Sequence, residues 1–190
     1  ADLGLNIKVE AEGTLDGNGT LVAEKIDFRR GRAVRVMALA DSVNAAADSL
    51  VVLGITVNID ELTRMEDKSD ADVSPLSLAN INSGDYVEIR GTEFPAGSGT
   101  LLAGRFERED PNQDTILQGF VVSIGQPSFE ILGVTIETNG ATVFQDINDN
   151  VISAADFFSQ VAPNSLVKAK GTEVSDSTLV ATEVEFQLEL

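Results

Sequence analysis

The sequence predicts an all-β protein assembled from tandem copies of one small β unit, and three observations predict it. One turn pattern is written three times, about 80 residues apart, as GTLDGNGTL at 13–21, GTEFPAGSGTL at 91–101 and GTEVSDSTL at 171–179. The residues around each turn alternate apolar and polar, which is the period of a strand with one buried face. Short strands with regularly spaced turn residues are typical of small β-barrels and β-sandwiches.

Each copy of the repeated pattern is predicted to end in a β-hairpin. The strand before the turn reads IKVEAEG, DYVEIRG or LVKAKG, and the strand after it reads TLVAEKIDF, TLLAGRFER or TLVATEVEF. Gly, Asn, Asp and Ser between the two strands suit positive φ and side-chain-capped turns. The apolar residues of the first strands that share one face are Val9, Ala11, Val87, Ile89, Val167 and Ala169.

Two of the three copies also carry the strands that begin a complete unit. GRAVRVMALADS from residue 31 and LQGFVVSIGQPS from residue 117 open these copies, and SLVVLGITVNID and SFEILGVTIETN continue them. Gly54 and Gly133 align inside VLGITV and ILGVTI, 79 residues apart. A glycine within such an apolar run predicts a β-bulge or a sharp bend, as at a barrel corner.

A short helix is predicted late in each complete copy. Ser153 before AADFFSQV is a good N-cap, and Asp156 stands at the third helical position in an arrangement like a capping box. PLSLANI after Ser74 is its shorter counterpart. Each complete unit therefore has about five strands and one short helix, a size that can hold a hydrophobic core.

The predicted organisation is a closing half-unit followed by two complete units. Residues 1–30 form the C-terminal half of a first repeat, as a β-hairpin, and residues 31–110 and 111–190 each form a complete β-barrel repeat.

The order of these segments resembles a known family of exported β-barrel repeats. GFVVSIGQPSFEILGVTIET, then ATVF, a short helix, SLVKAKGT and TLVATEVEF are similar to repeats found in tandem in periplasmic or surface lipoproteins of Gram-negative bacteria. That family is catalogued only as a domain of unknown function. The resemblance covers residues 115–190, extends over 31–110 and includes the closing half at 7–30. It implies tandem OB-like closed barrels with one short helix each, an envelope location and no catalytic residues.

Composition excludes several classes of function. The chain has 31 acidic and 13 basic residues, with a net charge of −18, so phosphate backbones and anionic headgroups are repelled. We therefore expect no nucleic-acid partner and no membrane insertion, and cations, basic proteins or neutral molecules are favoured. Cysteine and histidine are absent, which removes disulfides, thiolate nucleophiles and Cys/His zinc sites. We expect no enzyme activity and no cofactor.

One segment is a candidate calcium loop. DINDNVISAADF at 146–157 places Asp146, Asn148 and Asn150 at alternate positions, with Asp156 further on. Oxygen ligands at the first, third and fifth positions suit calcium. The turn glycine is missing, however, and no glutamate stands at the twelfth position. A polar loop that ends in a helix cap is the favoured interpretation, and a calcium site is the alternative.

These observations predict a non-catalytic exported envelope protein, periplasmic or secreted to the cell surface, with a structural or protein-interaction role. The alternative is a calcium- or small-ligand-binding barrel module, and a third is an unrecognised hydrolase. The partner is expected to be another protein, or a second copy that associates through the N-terminal hairpin, because isolated hairpins are marginal and their edges add strands.

Overall fold

A computed structural model describes residues 9–28, 33–112 and 114–188 of the chain, which are mostly β-strand. Contacts divide the chain into two compact units, Ala1–Gly31 and Arg32–Leu190. The strands are β1 (Val9–Leu15), β2 (Leu21–Phe28), β3 (Val34–Asn44), β4 (Ser49–Val52), β5 (Ile55–Asn58), β6 (Arg64–Asp67), β7 (Tyr86–Glu93), β8 (Thr100–Arg108), β9 (Thr115–Gly125), β10 (Ser128–Ile131), β11 (Val134–Glu137), β12 (Val143–Gln145), β13 (Val151–Ile152), β14 (Leu166–Ser175) and β15 (Thr178–Phe186). The helices are α1 (Ala154–Gln160) and two 3₁₀ turns, Ala45–Ala47 and Leu78–Asn80.

The second unit contains two closed five-stranded barrels with the same strand order. The first barrel runs β3-β4-β5-β8-β7 and closes back on β3, and the second runs β9-β10-β11-β15-β14 and closes back on β9. All neighbours are antiparallel except β5 with β8 and β11 with β15, which are parallel. This order is that of the OB-like Greek-key barrel, so the all-β, tandem OB-like fold predicted from the sequence is confirmed.

Strand alternation builds the core of each barrel. Along the first half of β3, Val34, Val36, Ala38 and Ala40 are buried, and the residues between them are more exposed. The second barrel is closed by a cluster of aromatic rings beneath α1, in which the rings of Phe157 and Phe186 have centroids 4.8 Å apart. The members of this cluster are Phe129, Phe144, Phe157, Phe158 and Phe186.

The repeated glycine marks a β-bulge in each closing hairpin. The register shifts between Glu12 and Gly13, between Arg90 and Gly91, and between Lys170 and Gly171. A Cβ atom on these glycines would lie 2.0, 2.2 and 2.0 Å from a carbonyl oxygen of the partner strand. Only glycine permits this close approach of two backbones, which is why the sequence repeats it.

The bulge expected at Gly54 and Gly133 is wrong, because both glycines lie in two-residue hairpin turns. Leu53 and Gly54 have φ of 53° and 72°, and Leu132 and Gly133 have φ of 52° and 79°. Two positive φ values in succession match the twist of the flanking strands, and the glycine supplies one of them. Each apolar run is therefore two short strands rather than one bent strand.

The predicted helix cap is confirmed in the second barrel. Ser153 precedes α1, and its Oγ accepts a hydrogen bond of 3.0 Å from the Asp156 backbone N–H. The shorter counterpart in the first barrel is the 3₁₀ turn Leu78–Asn80, which is capped by Ser77 and Asn80 rather than by Ser74.

The two barrels are joined by antiparallel pairing between β3 and β9. Val36 lies opposite Leu117, with Arg35 opposite Gln118 and Met37 opposite Ile116. Val36 and Leu117 are equivalent positions, because each stands two residues beyond the residue that pairs with its barrel's bulge glycine. The junction therefore has approximate two-fold symmetry, and the buried residues of both barrels form one continuous core.

A seam of carboxylates runs beside this junction. Asp41 accepts a hydrogen bond of 2.9 Å from the Gly54 backbone N–H, and a Cβ on Gly54 would lie 2.2 Å from Ser177 Oγ of the second barrel. Burial raises the pKa of Asp41, and the nearby Asp176 charge raises it further. Burial also raises the pKa of Glu173, with added effects of Asp41 and Asp176.

The first unit contains the hairpin of β1 and β2. The strands pair antiparallel from Val9 opposite Phe28 to Leu15 opposite Leu21. The apolar side chains of Leu15, Leu21 and Val22 are exposed. The hairpin was predicted over residues 5–30, and both of its ends lie outside the described residues. The predicted apolar face cannot be followed at Val9, Ile26 and Phe28, whose side chains also lie outside the description.

Replacing Gly171 by alanine is expected to lower the free energy of unfolding by about 1–3 kcal/mol, because the new methyl group meets the Val180 carbonyl oxygen. Gly140→Ala is the matched control, since a Cβ at Gly140 meets nothing within 4 Å and should change stability by less than about 0.5 kcal/mol. Denaturant unfolding followed by circular dichroism measures both. Equal stability of the two variants would contradict the role of Gly171.

Candidate functional site

The residues of the predicted calcium loop lie mainly in one turn. Asp146, Asn148 and Asn150 connect β12 to β13, and the Asp146 backbone N–H donates to the Asn150 carbonyl oxygen at 2.9 Å. The Asp146 carboxylate accepts from the backbone N–H groups of Asn148 at 2.8 Å and of Asn150 at 3.0 Å. The Asn150 side-chain amide, followed by these backbone N–H groups, holds the pKa of Asp146 below its usual value. The carboxylate is therefore ionised at neutral pH.

Asp156, the fourth predicted ligand, has a separate local role. It stands in the first turn of α1, and its carboxylate accepts a hydrogen bond of 2.6 Å from Ser153 Oγ. The structure thus places three of the four residues in a hairpin turn and the fourth in a helix cap. Each has an intramolecular role, and calcium binding at these residues stays a prediction.

A groove opens beside this turn at the end of the second barrel, with a volume of about 410 Å³. Its lining combines three apolar residues with an acid, a hydroxyl and two amides. The lining residues are Asp146, Ile147, Gln160, Ser165, Leu166, Phe186 and Gln187. An open apolar depression with a few converging polar groups is the usual form of a small binding site. We define these residues as the barrel-end groove.

The corresponding place in the first barrel is closed by a buried ion pair. β6 pairs in parallel with β8 so that Asp67 lies opposite Arg108. Nε of Arg108 donates to Asp67 Oδ1 at 3.1 Å, and its Nη2 donates to Oδ2. The side chain of Asp67 is 1 % exposed and that of Arg108 is 12 % exposed. The guanidinium lowers the pKa of Asp67 strongly, and the carboxylate raises that of Arg108.

The same register in the second barrel brings Asp146 to Phe186. β12 pairs in parallel with β15 from Val143 opposite Glu183 to Gln145 opposite Glu185. If this register is extended by one residue, Asp146 stands beside Phe186, and both residues line the groove. The sequence reasoning missed the groove. The sequence feature that could have indicated the groove is the last residue of TLLAGRFER and TLVATEVEF, which is Arg108 in one copy and Phe186 in the other.

A second group of carboxylates lies on the outer face of the first barrel. The carboxylate oxygens of Glu88, Glu107 and Glu109 lie within 4.8 Å of one another. Burial alone would raise the pKa of Glu88, but hydrogen bonds from Arg35 and Arg90 outweigh it and lower the pKa. Glu107 is paired with Arg105. Arginines thus pair with Glu88 and Glu107, whereas burial, and then the charges of Glu107 and Glu88, raise the pKa of Glu109.

These features define the class of protein as a tandem OB-like barrel protein with one ion-paired and one open barrel end. A model of the family described as Domain of unknown function (DUF5666) matches residues 39–107 and 118–185, and the chain belongs to this family. The two matched segments coincide with the two barrels. Comparison with curated proteins and with solved structures found no match. Among the described residues, no helix is long and apolar enough to cross a membrane.

Replacing Asp67 by alanine is expected to lower the free energy of unfolding by about 3–5 kcal/mol at neutral pH, because it leaves the Arg108 guanidinium buried without its partner. Asp146→Ala is the matched control at the equivalent turn, where no ion pair is lost, and it should lower the free energy of unfolding much less than Asp67→Ala does. Denaturant unfolding measures both variants.

The pH dependence of this difference has a definite sign. The pKa of Asp67 is lower in the folded protein than its usual value of 3.8, so its contribution is complete above that value. The contribution is lost as pH falls below 3.8, and the gap between the native protein and Asp67→Ala should narrow there. A gap that stayed constant from pH 7 to about pH 2 would contradict the ion-pair assignment.

Proposed function

We propose that this chain is a non-catalytic protein-interaction module of the bacterial envelope, exported from the cytoplasm, and that its partner is basic. The observation that carries the proposal is the distribution of charge over the two barrels. The chain has a net charge of −18, and the basic side chains that the structure describes in the two barrels are all paired with acids of the same chain.

Every basic side chain described between residues 33 and 188 makes an ion pair within the chain. The eight side chains are Arg35, Arg64, Lys68, Arg90, Arg105, Arg108, Lys168 and Lys170. The acidic residues that remain have no equal supply of cations, so the field around the barrels is negative. A negative field steers basic partners toward the surface and repels anionic ones.

The non-catalytic part of the proposal is supported by where the perturbed carboxylates lie. Asp41 and Glu173, whose pKa values are raised by burial, belong to the seam between the barrels. Burial also raises the pKa of Glu109, which lies in the cluster with Glu88 and Glu107 and does not line the groove. Asp146, which lines the barrel-end groove, has a lowered pKa and is held ionised by amide donors. A general acid needs a raised pKa at the place where substrate binds. The acid in the groove has a lowered pKa, and the acids with raised pKa values lie elsewhere. The envelope location rests on sequence resemblance alone.

Self-association through the N-terminal hairpin is the second way in which the proposed module makes contact. β1 and β2 have the bulge of a closing hairpin, and within the described residues they form a two-stranded sheet of their own. In both barrels the equivalent hairpin has each outer edge paired with a further strand. A second copy of the hairpin offers such strands symmetrically.

The full chain is expected to bind an arginine- and lysine-rich peptide, and its affinity should fall on the order of tenfold between about 50 mM and about 500 mM NaCl, because salt screens exposed charges. A peptide of the same length with glutamate at the basic positions is the control and should not bind. Fluorescence anisotropy measures both. Equal binding of the two peptides, or affinity that is independent of salt, would contradict a basic partner.

The full chain is also expected to form a dimer that is lost when it begins at Gly31. Light scattering measures the mass of both proteins. Leu15→Glu, at a side chain that is 71 % exposed, should weaken the dimer, and Leu62→Glu, at one that is 58 % exposed in the first barrel, should not. A monomer for the full chain would rule out self-association through the hairpin and leave the basic partner as the proposal.

A further inference from the structure

The two barrel ends are equivalent positions that carry different chemistry. Asp67 is the last residue of β6 and Asp146 directly follows β12, and each of these short strands pairs in parallel with the last strand of its barrel. Each carboxylate then accepts the backbone N–H two residues further on, at 3.1 Å from Ser69 and at 2.8 Å from Asn148. The two acids therefore share one backbone hydrogen bond and the same position beside the last barrel strand.

In the first barrel a guanidinium fills the space beside that acid. Besides its bonds to Asp67, Arg108 donates from Nη1 to the Asn80 carbonyl oxygen at 3.1 Å and lies 3.9 Å from the Asp85 carboxylate. Asn80 is the last residue of the 3₁₀ turn, and Asp85 directly precedes β7. The guanidinium thus joins three elements at the end of the barrel.

The counterparts of these three residues all line the groove in the second barrel. Gln160 is the last residue of α1, and Ser165 directly precedes β14, so they stand where Asn80 and Asp85 stand. Together with Asp146 they surround the groove. The barrel-end groove is therefore the guanidinium site of the first barrel, from which the chain's own arginine has been replaced by Phe186.

Asp146, the acid in the groove, is ionised, but none of the basic side chains described in the two barrels forms an ion pair with it. Its hydrogen-bond donors are the amides of Asn148 and Asn150, and one of its oxygens, Oδ2, accepts only from the Asn150 side-chain amide at 3.0 Å. Every basic side chain described in the two barrels is paired with another acid. A cationic group from outside the two barrels is needed to restore the arrangement of the first barrel.

We propose that the barrel-end groove binds the guanidinium group of an arginine side chain supplied by a partner protein, which rests on the proposed function of binding a basic partner. Asp146 accepts from the guanidinium, and Ser165 and Gln160 offer further oxygen acceptors. Phe186 packs against its planar face. A planar group with several donors suits this combination of acid and ring better than the compact ammonium of lysine.

The apolar lining argues for an arginine side chain rather than for a bare metal ion. Ile147, Leu166 and Phe186 present hydrocarbon to the groove, which suits the three-carbon stem of arginine. Calcium takes 6–8 oxygen ligands, and a groove with this lining supplies few of them. Of the four predicted calcium ligands only Asp146 lines the groove, and Asn148, Asn150 and Asp156 do not.

The probe for this inference is acetyl-Gly-Arg-Gly-amide, titrated into the ¹⁵N-labelled full chain and followed by NMR. The expected result is saturable shifts of the amides of Ile147, Ser165 and Gln187 and of the Gln160 side-chain amide. The same tripeptide with citrulline, which keeps the shape but has no charge, should bind at least tenfold more weakly. Equal affinity for the citrulline peptide would overturn the assignment.

Two variants in one turn provide the matched comparison. Asp146→Asn keeps an oxygen acceptor for the turn but removes the charge from the groove, and it should reduce affinity for the arginine peptide at least tenfold. Asp149→Asn removes the same charge from the same turn at an exposed residue that does not line the groove, and affinity should be unchanged. Equal losses in both variants would overturn the proposal.

A third variant places the guanidinium within the chain. Phe186→Arg recreates the first barrel's arrangement, so the tripeptide should no longer bind. If the loss of the Phe186 ring from the aromatic cluster prevents folding, the Asp146→Asn and Asp149→Asn variants still decide the question.

Failure of this inference can be told apart from failure of the proposed function. If the longer basic peptide binds in a salt-dependent way without shifts at the groove, the basic partner stands and the groove assignment is overturned. If neither peptide binds, both are overturned. If calcium shifts the side-chain amides of Asn148 and Asn150 and excludes the tripeptide, the loop is a calcium site and the guanidinium assignment is overturned.

Discussion

The short antiparallel pairing of β3 with β9 is the interaction on which the two-barrel unit depends. Its centre joins Val36 to Leu117, which are the same position of the repeat, so each barrel contributes the same edge. Such an interface is self-complementary and closed, like that of a symmetric dimer. It uses the free edge of both first strands and joins two small cores into one larger core.

Within this symmetric frame, the barrel ends are where the repeats differ. The bulge glycines, hairpin turns and strand order are shared, because they are conditions for closing the barrel. The next inward-facing position, two residues after Phe106 in one copy and after Val184 in the other, is free of that condition, and it holds Arg108 in the first and Phe186 in the second. The first choice completes a buried ion pair, and the second completes the aromatic cluster and leaves an acid at a groove.

Sequence patterns were sufficient for the architecture and insufficient for the groove. Period-2 alternation and the Ser153 cap are local signals, and they correspond to observed strands and a helix. The repeated glycine was assigned to the turn, whereas it lies at a β-bulge within the hairpin strands. Gly54 was misassigned, because an apolar run across a two-residue turn reads as one strand until the positive φ of Leu53 is known. The groove depends on the parallel pairing of β12 with β15, which joins residues about 40 apart and leaves no periodic trace in the sequence.

One of the surplus acids stands beside Phe186 in the second barrel. Unneutralised carboxylates keep a protein soluble, but they add self-repulsion to the folded state. In the first barrel, Asp67 is paired within the molecule and is almost fully buried. In the second barrel, the equivalent Asp146 is held ionised by its turn, and Phe186 stands where the first barrel has Arg108. An ionised acid of this kind, with a supporting turn and no internal cation, is what the proposed arginine side chain of a partner would meet.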